Sequence, residues 1–146
     1  WSKVELVDAL CDRLKMPAEY LRFGRLAMSQ HMRTHEVKKM FTKKLVQFVH
    51  QVSKPTTDMY RLIEVVEADG RGRKPSSEDK TTGEYILKVY AAIKSVKPLE
   101  VIQAAEKSRA DRAIRTETKP EKLLGKHIGE LIYRAEIQAV TRMLEV

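Results

Sequence analysis

"HEVKKMFTKKLVQFVHQVS", residues 35–53, decides the fold class. Its apolar residues Val37, Phe41, Leu45, Phe48, Val49 and Val52 recur mainly at three- and four-residue steps, the spacing that lines one face of an α-helix. A half-buried strand would alternate apolar and polar residues, and this stretch does not. The spacing predicts a helix from about His35 to Ser53, with Phe41 and Phe48 turned towards a core. Lys38, Lys39, Lys43 and Lys44 then spread over the opposite face, with Arg33 one turn earlier. Such a row can neutralise several phosphates and hold a nucleic-acid backbone without reading its sequence. A solvated helix face, or a surface that docks a protein, explains the same charges.

The helical pattern extends to both ends of the chain. Ser2-x-x-Glu5 has the form of a capping box and opens a helix to Met16, with Val4, Val7 and Cys11 on one face. Pro17 starts a second helix through about Met32, weakened at Gly24. Lys54-Pro55 closes the third. Met59, Leu62, Ile63 and Val66 predict a short fourth helix ended by Asp69-Gly70, before the extended basic loop "GRGRKPSSEDKTTG", residues 70–83. Thr81-x-x-Glu84 predicts the start of a fifth helix, Pro98 that of a sixth, and Thr118-x-x-Glu121 that of a seventh reaching the C-terminus. The expectation is an all-α bundle of six to seven helices with one Gly/Pro/Ser loop at about 69–82. It would form a single domain over 1–146, or a basic lobe 1–54 followed by a lobe 55–146.

Composition narrows the function classes. With 146 residues, 42% hydrophobic and 33% charged, the chain has the make-up of a globular domain rather than a disordered tail. No apolar run approaches the roughly 20 residues of a membrane-spanning helix. The net charge of +8 is uneven: residues 1–54 hold 11 basic and 5 acidic side chains, residues 55–146 hold 17 and 15. That asymmetry points to an anionic partner for the N-terminal third. The one cysteine, Cys11, leaves no internal disulfide framework and suits a reducing intracellular compartment. Opening on Trp1, the sequence fits either a removed import presequence or a truncation boundary.

Individual motifs support binding more than chemistry. "HMRTH" sets His31 and His35 four residues apart, like the end of a zinc finger, but no cysteine pair precedes them, so no metal site is expected. "LAMSQHMRTHEVKKM" matches a helix-turn-helix only loosely, with His31 at the turn and Gln30 where an apolar residue belongs. "RGRKP", Arg71 to Pro75, resembles a minor-groove hook, and places Arg71, Arg73 and Lys74 beside Arg33 and the four lysines as candidate contacts for phosphate or a partner. There is no glycine-rich phosphate cradle, GxSxG or HExxH, so neither an enzyme activity nor a cofactor is expected.

"KKLVQFVHQVSKPTTDMYRLIEVVE" at 43–67, "LEVIQAAEK" at 99–107 and "TETKP" at 116–120 together resemble the alpha-subcomplex subunit 5 family of respiratory complex I. The resemblance covers residues 43–123 and implies a helical, non-catalytic accessory subunit on the matrix arm of a mitochondrial assembly, with protein subunits as partners. "GRGRKP…TTGEYILKVY" resembles the RNA-binding domain of the phosphorylated adaptor for RNA export, although the paired glycines and full arginine run of that domain are missing. The leading expectation is an accessory subunit of a large complex. The alternative is an RNA- or DNA-binding module, or ribonucleoprotein component, that grips phosphate through its basic helix and loop. With few surface aromatics expected, nucleic acid would be held by its backbone rather than by stacking.

Overall fold

The computed structural model describes residues 3–72 and 82–145. Along the chain run α1 (Lys3–Arg13), α2 (Ala18–His35), a 3-10 turn (Val37–Lys39), α3 (Thr42–Val52), α4 (Thr56–Gly72), α5 (Thr82–Ser95), α6 (Pro98–Thr116) and α7 (Gly125–Leu144). No strand occurs among the described residues, and the all-α bundle expected from the periodicity is what the chain forms. It divides into two compact units, Trp1–Lys88 and Val89–Val146, with the boundary inside α5.

The core of the first unit is built largely from the 35–53 stretch and α4. Val37, Leu45, Val46, Phe48, Val49 and Val52 are buried, as are Met59, Leu62, Ile63 and Val66 of α4. Burying each such side chain contributes about 1.5–3 kcal/mol, which is what makes this short α3 hold its place. α2 is pinned on both sides by paired charges. Arg25 donates from Nε and Nη2 to the two carboxylate oxygens of Asp8 on α1, at 2.7 and 2.9 Å. Arg22 does the same to Asp58 on α4, at 2.9 and 3.4 Å, and Asp58 is only 1% exposed. Gly24 lies between these anchors, and a Cβ there would sit 2.7 Å from Cγ1 of Val7. The apparent weak point of α2 is therefore a place where α1 approaches closely.

In the second unit α6 packs against α7. α6 buries Ala113, and α7 buries Val140. This pairing is far less apolar than the α3–α4 core.

Three sequence expectations are corrected. The helix from His35 to Ser53 is broken: Met40 and Phe41 are extended, at φ −76°, ψ 139° and φ −61°, ψ 145°, between the 3-10 turn and α3. Consequently Phe41 is not buried but 81% exposed, while Phe48 is fully enclosed. The seventh helix starts at Gly125 and not near Thr118. Thr118 instead serves the end of α6, its N–H returning to the Ala113 carbonyl at 3.0 Å and its hydroxyl meeting that of Thr116 at 2.7 Å. Glu117 adopts the left-handed conformation, φ 54°, that closes many helix C-termini. Finally, α4 runs through Gly72 and α5 begins at Thr82, so both ends of the expected loop are helical; residues 73–81 lie outside the described residues.

The core assignment is tested by Phe48→Ala, expected to cost about 3–5 kcal/mol in urea unfolding. A pair of glycine substitutions separates packing from propensity. Gly129→Ala, where nothing lies within 4 Å, should raise stability by up to about 1 kcal/mol, and Gly24→Ala should lower it. Arg25 holds the Asp8 carboxyl below its ordinary value of 3.8, first through their hydrogen bond. That pair therefore supports the fold fully above the ordinary carboxylate range, and its support fades as pH falls through the lowered value. Asp8→Asn should flatten this acid limb in thermal melts recorded against pH.

Candidate nucleic-acid interface

Of the basic residues singled out from the sequence, Arg33 and the four lysines run from the end of α2 through the 3-10 turn to the start of α3. Arg33 is exposed yet held. Its Nη1 donates to Oε1 of Gln30 at 2.9 Å and of Gln51 at 3.4 Å, and its guanidinium lies 5.6 Å from the centroid of the Phe48 ring. Contact with an aromatic face and two amide oxygens orders a side chain that would otherwise sample many rotamers. Lys38 and Lys39 occupy the 3-10 turn, Lys43 and Lys44 the first turn of α3, and all four are exposed. That first turn holds no acidic residue and no side-chain cap. Lysines there oppose the helix dipole, so the local sequence works against helix stability while concentrating positive potential.

Phe41 completes this corner. Its ring is 81% exposed, with Lys38 and Lys39 before it in the chain and Lys43 and Lys44 after it. The helical periodicity hid this, because a continuous helix would have turned the ring inward with Leu45. The break at Met40–Phe41 turns it out. An exposed aromatic ring among cations is the arrangement single-strand binders use to stack a base while neighbouring charges take the phosphates.

His31 and His35 do not act as a pair. His31 Nδ1 donates to the Ala27 carbonyl at 2.9 Å, and His35 Nε2 meets Asp69 of α4 at 3.0 Å. The latter contact ties the C-terminal end of α4 to the end of α2, and Arg71 is exposed in that last turn of α4. Arg73 and Lys74 lie outside the described residues. α2 runs unbroken through His35, so the turn required by a helix-turn-helix is not there.

The second unit carries a basic groove that helical periodicity alone does not reveal. It has a volume of about 470 Å³ and lies between α6 and α7. Arg109 and Arg112 of α6 face Arg134 and His127 of α7 across it, over a floor that includes Ala105, Leu123 and Leu131. Arg109 donates to the Glu121 carbonyl at 3.0 Å, tying the connecting segment to α6. A signal was present: Ala105, Ser108, Arg109 and Arg112 follow the spacing of an inward face, and three of those four positions are polar.

Removing the Phe41 ring should leave the fold intact, because so little of it is buried: Phe41→Ala is expected to shift urea-unfolding stability by less than about 0.5 kcal/mol. Phe48→Ala, by contrast, should also release Arg33.

Multifunctional CCA proteins are among the curated proteins that this chain is similar to. The chain is 29% identical over 144 residues to a multifunctional CCA protein of Variovorax paradoxus, covering 95% of this chain and 31% of that protein. It is 26% identical over 147 residues to the multifunctional CCA protein of Burkholderia multivorans, covering 98% of this chain and 32% of that one. No family model and no solved structure matches. The chain spans about a third of the length of the curated relatives it resembles.

Proposed function

We propose that this chain is an RNA-binding helical module, of the kind found within a larger CCA-type protein, and that the corner around Phe41 holds a single-stranded segment of RNA. The observation that carries the reading is the exposed Phe41 ring, flanked in the chain by the exposed Lys38, Lys39, Lys43 and Lys44. A base stacks on the ring, and the lysines and the ordered Arg33 take the flanking phosphates. Arg71, two residues beyond the Asp69 that meets His35, adds an exposed cation near the end of α2. The relatives' name supports a nucleic-acid setting, since CCA is the trinucleotide at which transfer RNAs end. A transfer-RNA-like molecule, folded but with a single-stranded end, is the partner this reading favours. It assigns the module binding and positioning, with no bond made or broken by its own residues.

The test is affinity for a short single-stranded RNA across a salt series. Wild-type binding should weaken steeply between about 50 and 200 mM salt. Lys38/Lys39/Lys43/Lys44→Ala should flatten the slope by about 0.7 for each phosphate that is no longer neutralised. Phe41→Ala should cost about 1–3 kcal/mol of binding with the slope unchanged, because stacking releases no counterions. Salt-independent binding, or full affinity in both variants, refutes this reading and returns the corner to protein docking of the kind an accessory subunit uses.

A further inference from the structure

The groove between α6 and α7 lies in the other compact unit from the Phe41 corner and has its own chemistry. Arg109, Arg112 and Arg134 line one cavity of about 470 Å³. Among the described residues Arg112, Arg134 and Glu130 make no ion pair, although Glu130 lines the same groove. Guanidinium groups repel one another when they share a groove, and a carboxylate at hand would ordinarily be drawn into a fork with one of them. Here the arginines line the cavity without pairing with Glu130. Three arginines against one carboxylate leave an excess of positive charge along a concave surface, which attracts an anion, and planar guanidinium groups match the oxygens of phosphate better than a point charge does. The Ser108 hydroxyl adds a neutral donor on the same wall, while Ala105, Leu123 and Leu131 offer an apolar floor.

We infer that this groove is a second binding site, one that takes a phosphate-bearing ribonucleotide. Arg109, Arg112, Arg134 and Ser108 hold the phosphate. The sugar and base lie over the apolar floor, and His127, exposed at the edge, offers a ring for stacking. Glu130 would repel a second phosphate but accepts a hydrogen bond from a ribose hydroxyl. It is therefore the residue that separates RNA from DNA, since the 2′-hydroxyl is the group that distinguishes them. A volume in the range of small-ligand sites suits one nucleotide unit, either free or within a strand. This site stands independently of the Phe41 corner.

The experiment uses the full chain carrying Lys38/Lys39/Lys43/Lys44→Ala and Phe41→Ala, so that remaining binding belongs to the groove. A labelled oligouridylate is titrated by fluorescence anisotropy, alongside its deoxy counterpart and with AMP as competitor. Further substitution Arg112→Gln/Arg134→Gln should weaken the remaining binding about tenfold. Both arginines are exposed, and an unchanged circular dichroism spectrum checks that the helices persist. Glu130→Ala, which removes the acceptor, should keep phosphate affinity and lose the preference for ribose over deoxyribose. Displacement by AMP assigns the site to free nucleotides, and failure of AMP to displace assigns it to strands; either supports the groove. Unchanged affinity after loss of both arginines, or equal binding of ribose and deoxyribose oligomers to the parent chain, overturns it. Loss of all binding in the parent chain also overturns it, while leaving the Phe41 corner standing as the sole RNA site.

Discussion

Two residues of extended backbone, Met40 and Phe41, govern what the basic end of this molecule can do. Without them the lysine-rich stretch would be one amphipathic helix, apolar on one side and charged on the other. The break separates two aromatic residues that the periodicity groups together. Phe48 goes into the core under the guanidinium of Arg33, and Phe41 goes out among the lysines. One ring stabilises the fold and orders a cation, and the other is left available to a ligand. The helix dipole of α3 then adds to Lys43 and Lys44 instead of being offset by an acid.

The placement of the acidic residues completes this arrangement. Asp8 pairs with Arg25, Asp58 with Arg22, and Asp69 with His35, and each pair joins α2 to a neighbouring helix. These three carboxylates are thus engaged in fixing α2 between α1 and α4. An exposed pair such as Asp8–Arg25 adds little stability by itself. The Arg22–Asp58 pair matters more, because loss of the half-exposed Arg22 would leave the buried Asp58 carboxylate with Arg61 at 3.9 Å as its remaining ion-pair partner. The second unit is organised the opposite way: α6 and α7 share few buried side chains, and the polar residues between them open a groove instead of closing a core.

Much of the fold was legible because apolar spacing reports helices directly. Pro17 and Pro98 marked helix starts to within a residue, and the stripe Leu45, Phe48, Val49 and Val52 was the core it suggested. What failed were judgements about where helices stop. Thr118 and Glu121 have the form of a capping box, but Thr118 is engaged by the end of α6. A capping pattern cannot show which of two adjacent helices will claim it. At Met40–Phe41 the side chains continue a helical pattern while the backbone does not, since burial of Val37 and Leu45 is satisfied on both sides of the break. The lysines of the candidate site could be read directly from charge. The exposure of Phe41 could not, and the arginine groove emerges only when α6 and α7 are set face to face.

The most direct measurement is site-mapped photocrosslinking of a 4-thiouridine-containing single-stranded RNA to the intact chain, read by mass spectrometry. Zero-length crosslinking captures the residue against which a base lies. An adduct on Phe41, lost when RNA is displaced by high salt, is the result expected of a base stacked at the basic corner. Adducts confined to other exposed rings of the first unit, such as Tyr20 or Tyr60, with none on Phe41, would contradict it.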